Sequence, residues 1–236
     1  MTRSRTALVT GASRGIGLAV AKALAASGWR VGLVARETPA LDEAARVAGG
    51  GASPMACDVS DERALRALVD RVGETFGGAP DLLVNSAGVF SLAPAHVADT
   101  ADFEHALEVN LVGPFRLVRA FLPSMRERRS GHVVSIGSIA DRVAMRENSG
   151  YAASKFGLRG FHEVLRAELA GTGVRTTLVS PGPVDTAMWD EVDPDERPGF
   201  TPRSQMLLPD AVAAAVMYVV DQPPEVNVDE VRLSRA

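Results

Sequence analysis

The chain has 236 residues, 46% of them hydrophobic, a formal net charge of −4 and a single cysteine, Cys57. That is long and apolar enough to bury an α/β core, and its acidic pI of 5.6 excludes the basic footprint of a nucleic-acid binder. A lone cysteine forms no intramolecular disulfide, which fits a reducing cytoplasm. Cys57 reads as a small buried residue rather than a nucleophile. No uncharged apolar stretch reaches the ~18 residues of a membrane span. The first residues lead directly into a strand pattern without a signal-peptide core, so a cytoplasmic protein with no membrane or nucleic-acid partner is expected.

Residues 5–10 read as a buried strand, followed by Gly11-Ala12-Ser13-Arg14-Gly15-Ile16-Gly17 and a helix to residue 27 that Gly28 ends. A second apolar run follows at 30–35. In a strand–glycine turn–helix–strand unit, glycines let the backbone turn tightly and approach a pyrophosphate. The helix N-terminus offers free N–H groups and the positive end of its dipole. An acidic residue near the end of the second strand would bind the adenosine ribose of NAD. Here Ala35 and Arg36 stand there. An arginine binds a 2′-phosphate through its planar fork, and Arg14 in the glycine loop adds a second cation. NADP(H) is therefore expected over NAD(H), with Glu37 as the opposing charge.

The spacing Thr10-Gly11-x-x-x-Gly15-x-Gly17 resembles the short-chain dehydrogenase/reductase family, whose motif blocks recur in order along nearly the whole chain. The resemblance implies pyrophosphate contacts along Gly11, Ser13, Arg14, Gly15, Ile16 and Gly17. After a helix at 38–48 and a short strand at 53–57, it implies that Asp58-Val59 meets the adenine. Ser60 or Asp61 caps the next helix, which runs to residue 76. A strand at 81–84 leads into Asn85-Ser86-Ala87-Gly88, similar to the family's N-N-A-G, which braces the sheet beside the nicotinamide ribose.

Residues 99–128 read as a long helical region broken near its start, with Asn110 inside it. Asparagine is a poor mid-helix residue because its side chain competes for backbone bonds. The family places an asparagine at such a kink to hold a proton-relaying water. Arg126, Arg128 and Arg129 cluster at the helix end. They are either a solvated turn that complements the dipole or a docking patch for an acidic acyl-carrier protein.

A fifth strand, 132–136, ends at Gly137-Ser138, where open α/β sheets place their ligands. Ser138 precedes Tyr151 by thirteen residues, as in the family, and would hydrogen-bond a substrate oxygen; Ser135 is the competitor inside the strand. Residues 141–149 would form one wall of the pocket. Tyr151 and Lys155 are four apart on the following helix, hence on one face. An ammonium beside a phenol favours the phenolate and lowers its pKa towards neutrality, and a general acid works best with a pKa near the working pH. Beyond a sixth strand at 174–180, Pro181-Gly182-Pro183-Val184-Asp185-Thr186 resembles the family's nicotinamide-bordering segment, with Val184 and Thr186 against the carboxamide. Met188, Trp189 and Phe200 lie in a loop, 186–208, read as a mobile lid with apolar contacts to substrate. A helix at 210–220 and a last strand at 226–234 follow, the latter with Val226 and Val228 turned inward.

The resemblance implies a single Rossmann domain over 1–236, a doubly wound α/β fold with a seven-stranded parallel sheet ordered 3-2-1-4-5-6-7 and helices on both faces. It implies an NADPH-dependent oxidoreductase for a ketone or aldehyde, or a secondary alcohol in reverse, with Asn110, Ser138, Tyr151 and Lys155 as catalytic residues and no metal. Reduction of 3-oxoacyl groups on acyl-carrier protein and a non-catalytic NADP(H)-binding regulator are the alternatives. A homo-oligomer, tetramer or dimer, built on the helices near 103–128 and 150–170 is expected.

Overall fold

The computed structural model describes residues 4–36 and 38–236. The expectation that concerned Glu37 lies outside the described residues. Strands and helices alternate as β1 (Thr6–Thr10), α1 (Gly15–Ala26), β2 (Arg30–Ala35), α2 (Pro39–Ala48), β3 (Ala52–Ala56), α3 (Glu62–Phe76) and β4 (Leu82–Asn85). They continue as α4 (Thr100–Leu107), α5 (Gly113–Glu127), β5 (Gly131–Ile136), α6 (Ser149–Leu169), β6 (Val174–Pro181), α7 (Pro209–Val220) and β7 (Glu230–Leu233). The sheet has seven strands in the order β3-β2-β1-β4-β5-β6-β7, and every pair is parallel. This is the order that the family resemblance implied. The direction of winding reverses between β1 and β4, which opens a crevice beyond their carboxyl ends.

Each central strand is covered on both faces, so it reads as a continuous apolar run. All of β1 is buried, and its side chains alternate between two cores. Ala7 and Val9 pack with α1, α2 and α7, through residues such as Leu24, Leu41 and Val216. Leu8 faces the other way, with Leu68, Val72, Leu117, Phe121 and Leu165 of α3, α5 and α6. Helix starts follow local chemistry: Asp61 accepts from the amides of Arg63 and Ala64 at α3, and Asp99 from that of Ala101 at α4. Pro39 sits in the first turn of α2, where its missing N–H costs nothing. Among the described residues no helix is long and apolar enough to cross a membrane.

One local expectation is made more definite and two are corrected. The 99–128 region is two helices separated by a π-helical turn, Glu108–Val112, which holds Asn110. The last strand is only Glu230–Leu233, and Val226 is exposed rather than inward, because its segment turns after Pro223 and Pro224. The arginine cluster is largely spoken for: Arg128 donates to the carbonyls of Ala79, Pro80 and Ser130, and Arg129 to that of Gly171. Two of its three guanidinium groups thus fasten the end of α5 to neighbouring loops and are no free docking patch.

Candidate active site

The crevice is built first from backbone. Thr10 ends β1, and its hydroxyl accepts from the amides of Ser86 and Ala87, both at 3.0 Å, tying the β1 and β4 loops together. Gly11 takes a positive φ of 66°, and a Cβ there would lie 2.8 Å from the Ala87 Cα. A Cβ on Gly17 would lie 2.3 Å from the Gly11 carbonyl oxygen, so no side chain fits between the loop and α1. Gly15 brings the loop against Thr186, whose Cγ2 would be 3.2 Å from an added Cβ. Segments 171 residues apart, at Gly15 and Thr186, thus meet across one cleft. Arg14 is the N-cap of α1 but makes no side-chain cap bond, and the first turn carries no acidic residue, so its early amides face the cleft unanswered.

Asn85, at the end of β4, is buried yet neither its carbonyl oxygen nor its amide nitrogen has a partner. An orphaned buried amide, uncapped helix amides and a side-chain-free loop together fit a dinucleotide. Arg36, at the end of β2, and Arg14 are both exposed. Asp58 sits beyond β3, where its carboxylate accepts from the amide and hydroxyl of Ser60 at 2.9 and 2.6 Å. Burial works against its charge, but those bonds and the nearby Arg36 hold its pKa below the usual carboxylate range. Val59 is buried, and its carbonyl oxygen would lie 2.9 Å from a Cβ on Gly113. Gly88 lies against the Asn110 amide oxygen and Met188. Pro181 closes β6, and Gly182 is held by a bond from its amide to the Leu233 carbonyl. The Val184 carbonyl accepts from the Trp189 indole at 3.0 Å, and the Thr186 hydroxyl accepts from the Met188 amide.

The four residues expected to be catalytic lie together at the carboxyl end of the central strands. Ser138 follows β5, accepts from the Ala140 amide at 3.1 Å, and its hydroxyl acts to lower the pKa of the Tyr151 phenol. Lys155, one turn along α6, is buried, with Nζ 5.5 Å from the Tyr151 ring centroid and donating to the Ile136 carbonyl at 2.9 Å. Ser135, the competitor, is buried inside β5. Asn110 is tied by its side chain: Oδ1 accepts from the Val89 amide, while Nδ2 donates to the Val89 carbonyl and the Ser154 hydroxyl. It staples the β4 loop to α6 and has no spare side-chain donor for a relay.

The charge balance differs from the sequence expectation. Burial raises the Tyr151 pKa above its ordinary value, against the Ser138 hydroxyl that lowers it, and the Asp141 carboxylate raises it further. Burial also lowers the Lys155 pKa to about 8, opposed by Asp141. Desolvation therefore outweighs the expected depression of the phenol by the lysine. The phenol stays protonated at neutral pH, the form an acid needs. Asp141 itself is fully buried rather than part of a pocket wall.

Beside the phenol the walls are aromatic. Phe90 meets Tyr151 edge-on at 4.9 Å, Trp189 meets Phe90 at 5.1 Å, and Phe200 meets Trp189 at 6.3 Å. Sequence reading named Trp189 and Phe200, took Asp141 for part of a pocket wall, and missed Phe90, Thr10 as a loop tie and Ser154. Ser154 carried a signal, a polar residue three after Tyr151 on the same helix face; Phe90 and Asp141 carried none, because only folding brings them to the phenol.

The model of the family described as short chain dehydrogenase matches residues 5–197. The D-threitol dehydrogenase of Mycolicibacterium smegmatis is 38% identical over 222 residues, 91% of this chain and 85% of that protein. A metagenomic short-chain oxidoreductase solved in complex with NADP is 33% identical, with a TM-score of 0.84, covering 100% of this chain and 99% of that one. An alcohol dehydrogenase from the archaeon Thermococcus sibiricus, complexed with 5-hydroxy-NADP, is 30% identical, with a TM-score of 0.86 and coverage of 98% and 96%. With its strand order, its glycine cradle and these relatives, the chain belongs to the short-chain dehydrogenase family of oxidoreductases.

Proposed function

We propose that the chain is an NADP(H)-dependent oxidoreductase that interconverts a ketone or aldehyde and its alcohol. The observation that carries this reading is the buried ammonium of Lys155, 5.5 Å from the Tyr151 ring and held by the carbonyl of Ile136, two residues before Ser138. The dinucleotide, when bound, supplies or takes up hydride at its nicotinamide. Gly11, Ser13, Arg14, Gly15, Ile16 and Gly17 would hold its pyrophosphate, Arg14 and Arg36 its 2′-phosphate, and Asp58 and Val59 its adenine. Asn85, Ala87, Gly88, Tyr151 and Lys155 would meet the nicotinamide ribose, and Pro181, Gly182, Val184 and Thr186 the nicotinamide. Two relatives solved with NADP or a derivative of it support the choice of cofactor.

Ser138 donates to the substrate carbonyl oxygen, orienting it and stabilising the charge that develops there. Tyr151 gives that oxygen its proton, and in reverse takes a proton from the alcohol. Lys155 places a positive charge beside the phenol, which favours the transient phenolate. Asn110 acts by position, fixing the Val89 loop and α6 relative to each other. The aromatic wall of Phe90, Trp189 and Phe200 favours a carbonyl with an apolar substituent, even though one relative's name points to a sugar alcohol. Phe115 on α5 and Phe156 on α6 are exposed, which supports association of copies through these helices.

The test is a carbonyl panel run with NADPH and NADH in parallel, beside Tyr151→Phe. Turnover should fall by roughly 10³-fold in the variant while NADPH still binds; near-normal turnover would sink the mechanism. Arg36→Ala should weaken NADPH about tenfold and leave NADH unchanged, and an NADH preference in the unaltered protein refutes the reading of Arg14 and Arg36.

A further inference from the structure

Asp141 is the charged side chain that the mechanism leaves unused, although it is wholly buried three residues beyond Ser138. It stands in the single 3₁₀ turn, Ile139–Asp141, that Ser138 caps, and its amide donates to the Ser138 carbonyl at 2.9 Å. Its Oδ2 accepts from the Ser180 hydroxyl of β6 at 2.6 Å, and Oδ1 from Arg142 Nε at 2.6 Å. Arg142 reaches on to Glu230 at the start of β7. A Cβ on Gly137 would lie 3.1 Å from Asp141 Oδ2 and 2.6 Å from the Ser180 hydroxyl, so the carboxylate is packed directly behind the residue that precedes Ser138. One residue further back, the Ile136 carbonyl holds Lys155.

We propose that Asp141 is the buried counter-charge of the Tyr151–Lys155 pair and the positioning residue of the Ser138 turn. Two carboxylates share one guanidinium in the Asp141–Arg142–Glu230 cluster, and Arg232 of β7, opposite Ser180 in the sheet register, is exposed to solvent. Arg142 keeps part of its surface in solvent and Asp141 none, so the buried carboxylate is screened less than the cation that pairs with it. Its field opposes the burial that lowers the Lys155 pKa, favouring the protonated lysine, and adds to the burial that keeps the phenol in its acid form. The other groups around Tyr151 do not substitute for it. Lys155 lies on the same helix, Phe90 and Trp189 present uncharged rings, Asn110 is neutral, and the Arg197–Glu147 pair is self-compensating.

The role in turnover rests on the oxidoreductase reading, so the test is chosen to be independent of turnover. The chain has two tyrosines, and the second, Tyr218, is exposed on α7. In a Tyr218→Phe background the near-ultraviolet absorbance of phenolate reports Tyr151 alone. Asp141→Asn in that background should lower the titration midpoint by about one pH unit. A thermal stability loss with an unmoved midpoint would make Asp141 merely structural and overturn the proposal. Should Asp141→Asn fail to fold, Glu230→Gln removes one charge from the same cluster. It should move the midpoint the same way by less, and an unmoved midpoint overturns the proposal equally. Carbonyl reduction by the unaltered enzyme is measured beside it: absence of turnover there rejects the oxidoreductase reading, while the titration still decides the counter-charge.

Discussion

The two halves of the crevice are made in opposite ways. On the β1–β2 side, space is created by what is missing: Gly11, Gly15 and Gly17 bring backbone against backbone, and α1 begins with no side-chain cap. On the β5–β6 side, position is created by what is present: Asn110 bonds Ser154, Ser180 bonds Asp141 and Lys155 bonds the Ile136 carbonyl, all buried around Ser138 and Tyr151. A ligand recognised by its phosphates needs backbone amides and room. A proton donor needs a fixed oxygen in a controlled field. The difference teaches that the first half fails by added volume and the second by a lost partner.

The sharpest way to break this contrast is to add one methyl group to the first half. Gly17→Ala forces a contact at 2.3 Å against the Gly11 carbonyl. It should abolish dinucleotide binding by calorimetry, at a stability cost of roughly 3 kcal/mol. Tight binding in that variant would show that the loop is slack.

In the second half, Asn110→Ala removes no volume the cleft needs but strands the Val89 amide, the Val89 carbonyl and the Ser154 hydroxyl. About 2 kcal/mol of stability should be lost in denaturant unfolding, and kcat should fall while the affinity for the dinucleotide changes little. An equal loss in both would erase the distinction between the halves.

A pH-dependent effect, absent at neutral pH, concerns His132 in β5, which is buried against the Thr177 hydroxyl at 2.8 Å. Burial takes its pKa down to about 3 from 6.5. The folded chain thus keeps it neutral while the unfolded chain takes a proton below pH 6.5. Its contribution to stability is present above that pH and is lost as pH falls towards 3, by up to about 1.4 kcal/mol per pH unit. His132→Gln, compared with the parent by urea unfolding at pH 7 and pH 5, should show the shallower pH dependence. Parallel slopes would place the acid sensitivity elsewhere.

Cys57 follows the same logic of burial: it is buried, as its sequence context suggested, and its thiol is pushed up to about 11. Expectation and structure part where a property depends on a neighbour remote in sequence. A spacing of four residues put Lys155 near Tyr151 on one helix face, but the sign of the phenol's displacement came from burial and from Asp141. The Asn110 kink was legible because asparagine disfavours a helix interior, whereas its three bonds to Val89 and Ser154 were not. Val226 looked inward by alternation, yet a turn after two prolines leaves it exposed.

The order of the sheet came with the family resemblance, but the strand–helix alternation and the place of the glycine cradle were legible in the residues themselves. Those depend on periodic burial and on residues with singular backbone freedom, both local properties. The tertiary structure alone decided the field around the phenol and the wall beside it. Asp141, Arg142, Ser180 and Glu230 come from a turn and two strands, and Phe90 and Trp189 from two separate loops. Electrostatic and packing energies depend on distance in space, and only folding brings those residues together.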